Sequence, residues 1–186
     1  GIDTDAIFSR LGVNEQYVYT DQLRTPHSAQ LYFWQAVEDV SGDPDVGLHL
    51  GPLLPAYKGQ VLEYLFLSSP TFGEGLRRAQ NYQRLLSDAA NTDFFVAVDE
   101  ACMVLDTASD DVRRLKHFNE CFVQGLITFF KSITDGNFYP SRIEFEHDRE
   151  QGQDHVREVL GCEVVFGAEE NRLYFPAELL SHASPH

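Results

Sequence analysis

Apolar residues in the first half of the chain recur at the spacing of an α-helix. Leu31, Trp34, Val37 and Val40 follow one another at intervals of three residues, which places them on one helical face. A capping side chain before a proline opens such segments, because the cap satisfies a free amide and the proline fixes φ in the first turn. This punctuation predicts helices that begin near Thr25-Pro26 and Asp43-Pro44. Further helices are predicted to begin near Gln60, after the break at Pro52 and Pro55, and at Thr71.

Two of these segments carry further helix signals. Thr71 and Glu74 form a capping-box pattern, and the helix that it opens is expected to run through Tyr82 toward Leu86. In the short helix after Asp43-Pro44, Gly47 and Gly51 are four residues apart. No apolar stretch of membrane-spanning length surrounds them, so we interpret this spacing as a site of close helix packing.

Strict alternation of apolar and polar residues begins after Thr92 and indicates β-strands. Phe94, Val96 and Val98 share one face, and residues 102–105 follow a turn, which predicts a hairpin. Residues 142–147 alternate as a third strand with Ile143 and Phe145 on the buried face. We predict a second hairpin from residues 164–166 and 173–175.

A long apolar stripe separates the first hairpin from the third strand. It predicts one helix from near Ser109 to about Ile133, which should be the central and most buried helix. The predicted fold class is therefore α+β, with a helical N-terminal half and a long central helix packed on a mostly antiparallel sheet of about four strands.

The composition of the chain indicates its cellular environment and excludes some classes of binding partner. The chain has 186 residues, enough for one domain, and 29 acidic against 14 basic residues give a net charge of −15. That charge argues against direct DNA binding, which depends on Lys and Arg neutralising phosphates. Three cysteines without close pairing, and the lack of a signal-like or membrane-spanning stretch, predict a cytoplasmic protein without membrane contact.

Common catalytic and metal-binding patterns are absent from the sequence, so we expect no enzyme activity, no metal and no cofactor. His117 and Cys121 lie four residues apart on the predicted central helix and could share a metal, but two ligands are too few for a structural zinc site and zinc-type spacing is missing. We interpret them as a histidine near the core edge beside a buried thiol. The acidic residues Glu144, Glu146, Asp148 and Glu150 are interpreted as a solvated surface.

Aromatic side chains on helices that are expected to meet form a candidate ligand pocket. Small-molecule sites are mainly apolar with a few placed polar groups, and Arg84 lies near a helical face that is otherwise apolar. The alternative is that these side chains are ordinary core with polar tips at the surface. The candidate ligand-binding residues are Trp34, Tyr64, Tyr82, Arg84 and Phe118.

Three stretches in order resemble the N-terminal, arabinose-binding-like domain of AraC-type transcription regulators. They are SGDPDVGLHLG at 41–51, LSSPTFGEGL at 67–76 and GCEVVFGAEENRLYF at 161–175. The resemblance covers nearly the whole chain. Glu63 departs from it, because family members often carry a small residue at that position.

The resemblance implies a domain that binds a small-molecule effector, self-associates, or does both. DNA would be contacted only through a C-terminal helix-turn-helix domain that is not present in this chain, and the protein would form a homodimer. We accordingly expect residues 1–180 to form the effector-binding and dimerisation domain and residues 181–186 to begin a linker. The alternative is an interaction or dimerisation module without an effector.

Overall fold

The computed structural model describes residues 1–13, 28–54, 57–83, 90–107 and 109–184. Over these ranges the chain forms eight α-helices, and none of them is long and apolar enough to cross a membrane. The helices are α1 (Thr4–Leu11), α2 (Ala29–Ser41), α3 (Val46–Leu50), α4 (Val61–Leu67), α5 (Phe72–Tyr82), α6 (Asp110–Arg113), α7 (Lys116–Ile133) and α8 (Gln153–Leu160). The strands are β1 (Ala90–Val96), β2 (Glu100–Thr107), β3 (Arg142–Phe145), β4 (Glu163–Phe166) and β5 (Arg172–Pro176), and two 3-10 turns cover Gly51–Leu53 and Ala177–Ser181.

The five strands form one mixed sheet in the order β1-β2-β5-β3-β4. The pairs β1–β2, β2–β5 and β5–β3 are antiparallel, and β3–β4 is parallel. The α+β class and the first hairpin are confirmed, although the sheet has five strands rather than four. The predicted second hairpin is wrong, because α8 carries the chain across from β3 to β4 and a parallel pair needs such a crossover. Strand β5 then pairs on the other side of β3.

Local capping explains where several helices begin and break. The Thr71 hydroxyl accepts the Glu74 amide at 3.3 Å, as the capping-box pattern predicts. The single helix predicted from Ser109 is instead two, α6 and α7. The buried Asn119 amide donates to the carbonyls of Val112, Arg113 and Leu115 at 2.8–3.0 Å, and these bonds stabilise the break. The predicted opening at Thr25-Pro26 lies outside the described residues.

Helix α7 is the centre of the fold, as its apolar stripe predicts. Leu126, Phe129 and Phe130 are buried in the main core between the helices and the sheet. A smaller cluster lies on the α1–α2 side of the same helix and includes Trp34 and Cys121. Helix α7 therefore joins two apolar clusters.

Helix α3 packs against α7 at backbone distance, as the glycine spacing predicts. A Cβ at Gly47 would lie 2.7 Å from the carbonyl carbon of His117, and one at Gly51 would lie 2.9 Å from the carbonyl oxygen of Cys121. Both separations are much shorter than a normal van der Waals contact. Only glycine allows this approach, which places the residues just before α3 beside the start of α7.

Gly47→Ala should destabilise the fold. The added methyl group meets backbone, which cannot rotate away as a side chain can, so we expect a loss of about 1–3 kcal/mol in the free energy of unfolding. Urea denaturation at constant m-value measures the change. The matched control is Arg77→Ala on the exposed side of α5, which should change stability by less than about 0.5 kcal/mol. Equal stabilities of the two variants would contradict the close packing.

Candidate functional site

A cleft of about 440 Å³ lies between the turn before α3 and the loop before α8. The start of α7 contributes Lys116, whose ammonium donates to the Pro44 carbonyl at 2.8 Å and so ties the turn to that helix. Most of the lining side chains are charged or carry an amide. The lining residues are Pro44, Asp45, Lys116, Asp148, Arg149, Glu150, Gln151 and Gly152.

Arg149 links the cleft to the interior of the protein. Arg149 is buried, with only 7% of its surface exposed. One guanidinium nitrogen, Nη2, donates to the carboxylate of Asp45. The other, Nη1, donates to Glu120 Oε1 at 3.1 Å. Burial lowers the pKa of Arg149 from its ordinary value, but a guanidinium remains charged at neutral pH. The arginine is therefore a cation held between two carboxylates.

Glu120 is a fully buried carboxylate on α7, with 0% exposure. Its Oε1 also accepts from His147 Nε2 at 3.1 Å, just beyond the end of β3. Among the described residues, Glu120 Oε2, His147 Nδ1 and Arg149 Nε have no hydrogen-bond partner. A buried charge is tolerated only when it is paired, so Glu120 depends on Arg149. We call the set Asp45, Arg149, Glu120 and His147 the buried ion network.

A second, partly buried polar contact holds α2, α3 and α7 together. The amide of Gly47 donates to His117 Nδ1 at 3.3 Å, so this nitrogen carries no proton. His117 Nε2 therefore donates to Glu38 at 2.7 Å. Burial raises the pKa of the nearby Cys121 thiol to about 11, which keeps it protonated at neutral pH. In the described ranges no group of three or more His, Cys, Asp or Glu residues is placed to hold a metal.

The interpretation of the acidic residues after Ile143 as one solvated surface is wrong for Glu146. Its side chain is only 8% exposed and pairs with Arg113 and Arg114 at 3.8 and 3.6 Å. Strand β3 ends at Phe145, so the alternation that would point Glu146 to solvent no longer applies. Asp148 and Glu150 are exposed, as expected.

The aromatic residues predicted to bind a ligand fall in different places. Trp34 is buried in the smaller core cluster, and Phe118 packs against that cluster. Tyr64 on α4 and Tyr82 on α5 are 70% and 52% exposed. Arg84 lies outside the described residues. None of the four described side chains lines the cleft, and their ligand-binding role stays a prediction.

Sequence reasoning missed Glu120 and Arg149. The available signal for Glu120 was a charged residue in the middle of a helix that was expected to be the most buried. Arg149 was concealed by the acidic residues around it. Asp45, by contrast, belongs to the first of the three family-like stretches, so that stretch forms one wall of the cleft.

The sequence matches, over residues 1–183, the family described as the arabinose-binding domain of AraC transcription regulators, N-terminal. The chain belongs to this family. No curated protein matches the sequence. Among solved structures, the transcriptional regulator CdpR from Pseudomonas aeruginosa is similar with a TM-score of 0.61 and 16% sequence identity.

That structural similarity covers 100% of this chain and 59% of the CdpR chain. At so low an identity the match shows a shared fold and carries no information on ligands. The family match, which rests on sequence, is what identifies the chain as a regulatory domain of the AraC type.

Arg149→Met should destabilise the protein strongly, because it leaves the Glu120 carboxylate buried without a counter-charge. We expect a loss of about 3–5 kcal/mol in the free energy of unfolding. Combining it with Glu120→Gln should recover part of this loss, since the double variant no longer buries the Glu120 charge and leaves only the partly exposed Asp45 carboxylate without its partner. Urea denaturation of the wild type, the two single variants and the double variant measures the coupling.

The control for this cycle is the exposed pair of Arg10 and Asp39, 2.6 Å apart with both side chains about half exposed. Asp39→Asn should have a much smaller effect, because solvent screens exposed pairs. Strictly additive effects of Arg149→Met and Glu120→Gln would show that the two residues do not depend on each other.

Proposed function

We propose that this domain senses a small polar effector in the cleft beside Arg149 and passes its occupancy to DNA binding by an AraC-type regulator. Membership of the family carries the regulatory part of the proposal. The lining of the cleft supports the proposed class of ligand, because its charged and amide groups would recognise a molecule rich in hydrogen-bonding groups.

The buried ion network supplies a route from the cleft to the core. A ligand that contacts the Arg149 guanidinium competes with or reinforces its bond to Asp45. The same guanidinium holds Glu120 on the central helix α7. The effector changes the protein only if it binds one arrangement of Arg149 better than another, since equal affinity for both shifts nothing.

The output is proposed to lie in a C-terminal helix-turn-helix domain of the full-length cytoplasmic protein, with residues 181–186 beginning the connection. The acidic charge of this chain supports a division of labour in which another domain contacts DNA. Residues near the proposed connection bond to the start of α5. Phe72 donates to the His182 carbonyl at 2.9 Å, and Ser184 donates to the Pro70 carbonyl at 3.0 Å.

A second candidate function is self-association as a homodimer, with or without an effector. Exposed apolar side chains favour it, because such residues mark interaction surfaces when they lie together. They occur on α2 and around α4, at Tyr32, Leu53, Leu54, Val61 and Tyr64.

A metabolite screen by thermal unfolding tests the effector proposal. A ligand that binds only the folded state at 100 times its dissociation constant stabilises it by about 2.7 kcal/mol. We expect a hit whose stabilisation is lost in the variant Glu150→Gln/Gln151→Ala, which alters two exposed residues of the cleft. Glu158→Gln, an exposed change on α8 outside the lining, is the matched control and should respond as the wild type does.

The same screen distinguishes a ligand that binds in the cleft from one that binds at the aromatic residues predicted from the sequence. A hit that is lost in Tyr64→Ala or Tyr82→Ala and kept in the cleft variant would overturn the cleft and support the aromatic prediction. In the full-length protein, deleting this domain should change promoter activity, effector response or self-association. If all three are unchanged, the regulatory proposal fails.

A further inference from the structure

Two histidines face each other between α3 and α8, the helices that follow the two walls of the cleft. His49 lies in the last turn of α3 and His155 in the first turn of α8, and both are exposed. Their Nε2 atoms are 3.2 Å apart. A carboxylate oxygen of Asp43 lies 2.7 Å from the other nitrogen, Nδ1, of His49. None of these three residues belongs to the buried ion network, although Asp43 accepts the backbone amide of its member Asp45.

Hydrogen bonding determines which nitrogen of His49 carries the proton. A carboxylate only accepts, so the proton of neutral His49 lies on Nδ1 and is donated to Asp43. The lone pair of Nε2 is then directed at His155. Without another ligand, His155 Nε2 donates its own proton to that lone pair, and the ring centres, 5.5 Å apart, fit this head-on contact.

We propose that His49 and His155 bind one divalent transition-metal ion of the zinc or nickel type through their two Nε2 atoms. Two nitrogens bound to a tetrahedral zinc at about 2.0–2.1 Å are about 3.3 Å apart, close to the separation seen here. His155 then carries its proton on Nδ1. Both rings are exposed, so each can tilt toward the ion, and water supplies the remaining ligands.

Asp43 gives His49 the environment that metal-binding histidines have. A histidine that ligates a metal usually donates its other N–H to a carboxylate or carbonyl, which orients the ring and makes the ligating nitrogen more basic. Asp43 is itself held in place, because its Oδ1 accepts the Asp45 amide at 2.9 Å. The His49 side chain is thus oriented before any ion binds.

The donor atoms also select the class of ion. Imidazole suits zinc, copper and nickel, whereas magnesium and calcium require oxygen ligands. Two protein ligands make an exchangeable site rather than a structural one, which would have four. The ion would connect α3 with α8, the helices that follow the two walls of the cleft. The metal site does not depend on the effector proposal, because none of its ligands lines the cleft.

Isothermal titration of the tag-free chain with zinc chloride at pH 7.5 tests the proposal. We expect one class of sites with a stoichiometry near one that is about 10-fold or more weaker in His155→Gln. His182→Gln removes another histidine, one placed 3.6 Å from Asp135, and should leave zinc affinity unchanged. Thermal unfolding without metal should be the same for all three proteins, since both substituted side chains are at least partly exposed.

Two further titrations separate a built site from the general attraction of an acidic protein for cations. Nickel chloride should bind and lose affinity in His155→Gln, whereas magnesium chloride should show no heat that depends on His155. Asp43→Asn should weaken zinc binding by about 10-fold or more, since partners of metal-ligating histidines have effects of this size. Equal zinc affinity and stoichiometry in the wild type and His155→Gln would overturn the site.

Discussion

The pairing of the buried Glu120 carboxylate is the strictest constraint on this fold. A carboxylate removed from water is strongly destabilising unless a cation and hydrogen bonds accompany it. Arg149 and His147 provide them from the segment that follows β3, and Asp45 balances the arginine from the turn before α3. The helical half, the central helix and the sheet must therefore adopt one relative arrangement for the charges to match.

This constraint works only because α3 lies directly against α7. Gly47 and Gly51 remove the side chains that would separate the two backbones, and the Gly47 amide is bonded to His117 on α7. Asp45 is thereby brought within reach of Arg149, and His49, on the same short helix, within reach of His155. One close helix contact thus positions both the buried ion network and the histidine pair.

Sequence reasoning succeeded where the cause of a structure is local. The Thr71 cap, the helical stripes and the alternating hairpin depend on neighbouring residues, so their patterns are visible in the chain. Sequence reasoning failed where residues far apart in the chain determine the structure. Strand β4 pairs with β3, which lies beyond α8 in the sequence, rather than with the neighbouring β5, and Glu120 bonds Arg149, which is 29 residues away in the sequence. Each of those two residues alone reads as an ordinary surface charge.

The positions of the two proposed sites imply that their ligands influence each other. An ion on His49 and His155 and an effector beside Arg149 both act on the separation between residues 43–49 and 148–155. If the ion and the effector both bind better to the same separation of the two walls, the bound ion raises the affinity of the domain for the effector. By linkage the effector must then raise ion affinity by the same factor. Because Arg149 joins one wall to Glu120 on α7, the core helix would register the arrangement that the two proposed ligands select.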